Sequence, residues 1–104
     1  MAARVTADAA AQVQRCYRTP KVLGEAKRIS TRLRVRYGPD GLVAGIPQVV
    51  EQTGVTPGNR LFADEMARAA IASVLRCSPL KMPPELYEMG WNDFELTFTS
   101  ALRG

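Results

Sequence analysis

The sequence predicts an α+β fold: a three-stranded antiparallel or mixed sheet in the order 2-1-3, with two helices packed on one face. A strict alternation of apolar and polar, mostly basic, residues indicates a strand at residues 28–37. A Gly-Pro-Asp-Gly turn at residues 38–41 then predicts a hairpin. Helical periodicity on either side of the hairpin, at residues 6–17 and 59–76, supplies the two helices.

The chain is predicted to form one domain. Its 104 residues are 46% hydrophobic and 23% charged, which is typical of a soluble globular protein with a modest core. We assign this domain to residues 5–100, with termini at 1–4 and 101–104. No apolar run approaches the roughly 18–20 residues of a membrane span, and the N-terminus lacks a signal-peptide core. A role outside the cytoplasm would require an export segment upstream of Met1.

The first helix is expected to end near a cysteine. Its apolar residues follow the i, i+4, i+7, i+8 spacing of one buried stripe: Ala9, Val13, Cys16 and Tyr17. Thr6 or Asp8 can cap its N-terminus. Pro20 ends the helix, because the residue before a proline avoids the helical region.

The first strand has one apolar and one basic face. The apolar face comprises Ile29, Thr31, Leu33, Val35 and Tyr37, and the other carries Ser30, Arg32, Arg34 and Arg36. A second strand, at residues 42–51, is expected to return antiparallel from the turn. Because Pro47 cannot donate a ladder hydrogen bond, this strand is expected at a sheet edge.

The second helix is expected to begin at an Asn59 cap and to end near Arg76. Its many alanines indicate close packing against the sheet. The predicted apolar stripe comprises Leu61, Phe62, Met66, Ala69, Ala70, Val74 and Cys77.

The third strand is predicted at residues 93–99. Phe94, Leu96 and Phe98 point inward, and Glu95, Thr97 and Thr99 point outward. The second strand, the helix and this strand form a crossover unit if the third strand pairs in parallel orientation beyond the first. The first strand is then central, so that Glu95 can meet one of its arginines. The outer edge of the third strand keeps unpaired backbone groups.

The residue types argue against an enzyme, a metal centre or a cofactor site. The chain has no histidine and only two cysteines, which cannot by themselves fill a structural zinc site. No glycine-rich phosphate loop occurs. Carboxylates at Asp64, Glu65, Glu85 and Glu88 lie near helix starts, where they compensate the helix dipole. Trp91 is predicted to close the core rather than to form a ligand platform.

Arg32, Arg34 and Arg36 form the sharpest charged feature. Together with the net charge of +4, they could meet nucleic-acid phosphates. Sheets that bind nucleic acids usually interleave aromatic residues for base stacking, and this face has none. We favour a solvated face with cross-strand ion pairs to Glu95 and Glu51, and expect no nucleic-acid partner.

Cys16 and Cys77 each lie near the end of a predicted helix, with a proline within four residues. A bond between them would tie the two helices together and suit an oxidising compartment. Each cysteine also lies on the apolar face of its helix, where a free thiol packs well. The residues alone leave both interpretations open.

The open edge of the third strand is the candidate binding site. Its residues are largely apolar, β-branched or aromatic, without a guarding lysine or proline. Natural proteins normally block such edges unless they use them, so partner recognition by strand addition is predicted here. The predicted partner-binding residues are Phe94, Glu95, Leu96, Thr97, Phe98 and Thr99.

Four segments together resemble the C-terminal domain of TolA-like proteins, which belong to the TonB/TolA energy-transducer group of Gram-negative bacteria. They are QVQRCYRTP, TRLRVRYGPDGLVAGIPQVV, LRCSPLKMPPELY and WNDFELTF, and the likeness extends from about Val5 to Phe98. The most distinctive feature is a Cys-Tyr-x-x-Pro sequence near the start combined with Arg-Cys-x-Pro later in the chain.

The resemblance implies a non-enzymatic periplasmic docking domain, carried on a stalk from an inner-membrane anchor and coupled through that upstream part to a TolQ/TolR-like motor. It implies TolB-like and Pal-like envelope partners, a role in outer-membrane integrity and constriction during division, and use of the domain by phage coat proteins and bacteriocins. It also implies a Cys16–Cys77 disulfide, strand addition at residues 94–99, and membrane attachment only through the anchor. A TonB-like role in outer-membrane transport is the alternative, although TonB-like domains usually lack this cysteine pair. A basic nucleic-acid-binding domain is a third interpretation.

Overall fold

The computed structural model describes residues 2–18 and 28–99, with side chains from Arg4 onward. Two long helices and three strands account for most of this part of the chain. In chain order they are α1 (Ala2–Gln14), β1 (Ser30–Arg36), β2 (Gln48–Thr53), α2 (Arg60–Arg76) and β3 (Asp93–Thr99). A 3₁₀ turn at Pro84–Leu86 and a π turn at Tyr87–Trp91 lead into β3. The α+β class is confirmed.

The sheet has the predicted order β2-β1-β3. Both pairings of the central strand are antiparallel, so of the predicted antiparallel and mixed alternatives the sheet is antiparallel, and the third strand does not pair in parallel with β1. The reason lies in the path of the chain: α2 returns it to the end of the sheet from which β2 started. The two outer strands therefore run parallel to each other, with β1 antiparallel between them, and β2-α2-β3 still forms a crossover.

The core lies between one face of the sheet and both helices. Inward residues of β1 and β3 alternate strictly with outward ones, as the period-two pattern predicted. The helices contribute small and medium side chains, which allow a close approach. The main core includes Val5, Ala9 and Val13 of α1, Ala70 and Val74 of α2, and Leu33, Val35, Phe94, Leu96 and Phe98 of the sheet.

α1 begins and ends earlier than predicted. It spans Ala2–Gln14, so Thr6 and Asp8 are helix-interior residues rather than caps. Cys16 lies in the turn after the helix, and Tyr17 follows that turn. Alanine-rich sequence before Thr6 propagates the helix toward the N-terminus, because alanine has the highest helix propensity. The predicted stop at Pro20 lies outside the described residues.

β2 is shorter than predicted and begins six residues later, at Gln48. Residues 42–47 form a loop that touches β1 only through a Tyr37–Val43 bridge and a 2.7 Å hydrogen bond from Ala44 N to Arg36 O. The chain leaves the ladder at Gly45, whose φ of 84° is incompatible with a regular strand. β2 lies at a sheet edge, as expected, but Pro47, from which this position was inferred, lies in the loop before the strand.

The predicted stripe of α2 is wrong at its N-terminal end. Leu61 is 84% exposed and Phe62 is also exposed, while Ala63 and Ser73 face the core instead. Gln52 of β2 explains the rotation of the first turn, because its Nε2 donates to Ala63 O at 2.8 Å and to Thr31 Oγ1 at 2.9 Å. The helix backbone approaches the sheet here because Ala63 has a small side chain.

Asn59 occupies the predicted N-cap position of α2, but its side chain makes no capping hydrogen bond to the helix. The side chain instead closes the preceding loop, since Oδ1 accepts from Thr56 N at 2.7 Å and Nδ2 donates to Gly54 O at 3.0 Å. This loop brings Gly54 against the chain just before β1. A β-carbon at Gly54 would lie 2.1 Å from Arg28 O.

Gly54→Ala is expected to destabilise the fold more than Gly45→Ala. Both glycines have positive φ, 75° and 84°, so each alanine has the cost of a left-handed conformation, about 1 kcal/mol. At Gly45, no atom of the described residues lies within 4 Å of an added β-carbon. At Gly54, an added β-carbon collides with the Arg28 carbonyl. Urea unfolding should therefore show an additional loss of about 1–2 kcal/mol for Gly54→Ala. Equal losses would contradict the close contact.

Candidate functional site

β3 lies at a margin of the sheet, as predicted. Within residues 2–18 and 28–99, β1 is its only strand partner. Phe94, Leu96 and Phe98 are buried, while Glu95 and Thr97 are exposed on the outer face. The candidate docking edge therefore offers a row of backbone groups, with its apolar side chains turned into the core.

Aromatic packing holds β3 in place from the inner side. Tyr37 stacks on Phe94 with ring centroids 5.9 Å apart, and Tyr17 packs against Phe98 at 5.0 Å. Trp91 is buried, as predicted, and its indole N–H donates to Pro83 O at 2.8 Å. A strand fixed in this way needs little reordering to pair with another strand, which lowers the entropic cost of docking.

The hydroxyl of Tyr37 stays protonated at neutral pH. Burial raises the pKa of Tyr37 to about 12, because the phenolate would lose its hydration. Its role in the described structure is to support Phe94 and, through its backbone carbonyl, to accept the Tyr87 hydroxyl at 2.6 Å.

The outer face of the sheet is a lattice of ion pairs. Arg32 pairs with Glu51 of β2 and, at 3.5 Å, with Glu95 of β3. These are the two carboxylates that the alternation pattern predicted as partners of the arginine face.

Asp93 is the acidic residue that sequence reasoning missed. Arg34 binds it with both Nε, at 3.0 Å to Oδ1, and Nη2, at 2.6 Å to Oδ2. Arg36 Nε lies 3.7 Å from Oδ2. The signal that could have revealed it is the antiparallel register, which places Asp93 directly across from Arg36.

These contacts shift the titration of the pair. The hydrogen bonds from Arg34 hold the pKa of Asp93 below its ordinary value, and the same contact raises the pKa of Arg34. The pair thus contributes stability above the ordinary carboxyl pKa, and the contribution is lost as the pH falls through the lowered value. Solvent screening keeps it small, because the Asp93 side chain is 34% exposed.

A disulfide joins Cys16 to Cys77, as the family resemblance implied, with Cα atoms 5.9 Å apart. It connects the turn after α1 to the end of α2. Arg76 Nη1 donates to Cys16 O at 2.9 Å beside it. Gln12 extends the junction by accepting from Lys81 N at 3.0 Å and donating to Lys81 O at 2.9 Å. The two helices and the connector after α2 therefore form one braced corner.

Comparisons with family models, curated proteins and solved structures each found no match. In the described part of the chain, no cluster of three or more metal-ligating side chains occurs. No helix there combines the length and apolar character needed to cross a membrane.

The opposite margin of the sheet differs from β3. The neighbouring Val49 and Val50 of β2 are both exposed, a pair that the sequence analysis did not single out. However, a bulge interrupts the β1–β2 register between Arg32 and Leu33. β3 instead pairs with β1 over seven consecutive residues. A regular ladder leaves a regular row of outward donors and acceptors, whereas bulges disturb further pairing. β3 is therefore the better template for another strand.

Proposed function

We propose that this domain is a non-enzymatic docking module that recruits an extended segment of a partner protein onto the outer edge of β3, in the manner of a TolA-like periplasmic domain. The observation that carries the proposal is the position of β3: a regular seven-residue strand at the margin of the sheet, paired on one side by β1. Strand addition supplies affinity through main-chain hydrogen bonds at such an edge.

The disulfide supports the envelope part of the proposal. Disulfides persist in oxidising compartments such as the bacterial periplasm and are rare in the cytosol. The Cys16–Cys77 bond links the turn after α1 to the end of α2, neither of which is part of β3, so its proposed role is structural. TolB-like and Pal-like envelope proteins are the proposed partners, and outer-membrane integrity and constriction are the proposed processes.

The arginine face supports a protein partner over a nucleic acid. Each of its three arginines has an acidic neighbour, at Glu51, Glu95 or Asp93. A phosphate backbone would have to displace these carboxylates before it could gain the guanidinium contacts.

A pair of proline substitutions tests the proposal. Successive backbone N–H groups point to opposite sides of a strand, so of Leu96→Pro and Thr97→Pro one removes an outer-edge donor and the other a donor to β1. Hydrogen exchange of the wild type identifies the edge position as the one of the two whose amide the ladder to β1 does not protect, and its proline variant is the edge variant. We expect it to lose binding to a purified TolB-like envelope protein in calorimetry.

Val50→Pro, at the exposed bulge of β2, is the matched control and is expected to keep binding. If the folded β3 variant binds the TolB-like protein as tightly as the wild type, docking at β3 is wrong. If Val50→Pro alone loses binding, the partner uses the opposite margin.

A further inference from the structure

Glu95 is the least compensated charge at the β3 edge. Its side chain is 50% exposed, and among residues 4–18 and 28–99 its ion pair is the 3.5 Å contact with Arg32. Arg32 makes a closer contact with Glu51. Asp93, two residues earlier, forms ion pairs with both Arg34 and Arg36. The carboxylate of Glu95 is therefore available to a further cation.

The ion-pair lattice is uneven along the strand. Around Arg32, two carboxylates share one guanidinium, and Arg34, which lies opposite Glu95, is hydrogen-bonded to Asp93 instead. Around Asp93, by contrast, two guanidinium groups contact one carboxylate. The outer face thus attracts a cation beside Glu95 although the whole chain has a net charge of +4.

β1 shows which kind of strand β3 accepts. In the native register Arg34 lies opposite Glu95, and Leu33 lies opposite Leu96. A strand that joins from the other side meets the same row of β3 side chains, since those side chains point above and below the sheet rather than along it. Basic residues on the outer face and apolar residues on the inner face suit both neighbours of β3.

We infer that the β3 edge selects an extended partner segment in which apolar and basic residues alternate, with a lysine or arginine beside Glu95. This inference rests on the proposed strand addition and adds its charge specificity. Opposite charges directly across an antiparallel pair are favourable and like charges unfavourable, so one residue of the partner decides the preference.

Two capped synthetic peptides test the inference. One has the sequence of residues 31–37, Thr-Arg-Leu-Arg-Val-Arg-Tyr, and the other has glutamate at its central position. At low salt, NMR titration should show tighter binding of the basic peptide by about fivefold, with shifts centred on the β3 amides. Because the chain and both peptides are cationic, general charge repulsion would be weaker for the glutamate peptide and would favour it instead.

Glu95→Lys is expected to reverse this order, so that the glutamate peptide binds more tightly. Glu65→Lys, on the exposed face of α2, changes the net charge equally and should preserve the wild-type order. Equal affinities of both peptides at β3 would overturn the charge selection and leave strand addition standing. If Glu65→Lys reverses the order as Glu95→Lys does, the net charge of the protein explains the preference. That result would also overturn the charge selection at β3. Shifts confined to β2, or no binding of either peptide, would overturn both the inference and the β3 edge.

Discussion

Replacing both cysteines, Cys16→Ala with Cys77→Ala, is expected to lower the free energy of unfolding by about 4 kcal/mol. The bond joins residues 61 positions apart, so its loss lets the unfolded chain explore many more conformations. For a domain of 104 residues this is a large share of the total stability. Urea unfolding of the oxidised wild type and the double variant measures the difference.

Reduction of the wild type provides the control for this prediction. Reductant should shift the wild-type unfolding midpoint toward that of the double variant and should leave the variant unchanged. Comparable stability of the oxidised wild type and the variant, within about 1 kcal/mol, would show that the bond does not brace the fold.

Trp91→Ala is expected to destabilise the protein by about 3–5 kcal/mol, because it removes a large side chain from a packed core. Trp91 is 1% exposed, and its ring centroid lies 4.8 Å from that of Tyr87. Its indole N–H donates to Pro83 O. It also lies two residues before β3, so the vacancy would loosen the start of that strand. Urea unfolding measures the loss, and near-ultraviolet circular dichroism reports the aromatic packing.

Trp91→Phe separates ring volume from the hydrogen bond. Phenylalanine retains most of the apolar contact but removes one of two donors to the Pro83 carbonyl, which still accepts from Leu86 N at 3.1 Å, so the lost hydrogen bond should cost about 0.5–1.5 kcal/mol. The alanine variant should therefore be clearly less stable than the phenylalanine variant. Equal losses would indicate that the hydrogen bond, rather than the packing, governs the stability at this position.

The strands were the most predictable part of the fold. β1 and β3 each have one buried face, so their sequences alternate with a period of two that no helix shares. This alternation also predicted which residues of β3 point inward and that Glu95 would meet an arginine. The strand order was predictable because a crossover from the second strand to the third leaves β1 in the centre, where Glu95 can meet an arginine.

Elements with weaker periodic constraint were less predictable. β2 is exposed on nearly every residue, so hydrophobicity carried no information on where it starts. The first turn of α2 was misassigned because the side chain of Gln52 reaches the helix carbonyl of Ala63, a long-range contact that no local pattern contains. α1 was placed too late because alanine is neutral in an apolar stripe yet extends a helix.

The ion pairs on the outer face of the sheet were also predictable only in part. Glu51 and Glu95 were predicted as partners because each belongs to a strand flanking the arginines. Asp93 was missed because it is the first residue of β3, and its role depends on a register that only the folded sheet defines. The uneven distribution of charge that favours a cation beside Glu95 is likewise a property of the assembled sheet.

The position of the disulfide determines how the domain would carry mechanical tension. A pull between α1 and a partner held on β3 would pass from residue 16 to residue 77 through the covalent sulfur bridge. The intervening chain, with β1, β2 and α2, would lie outside the loaded backbone path. Only the segment from 77 to 99 would be in line with the force, and its hold on the rest depends on the seven-residue ladder to β1.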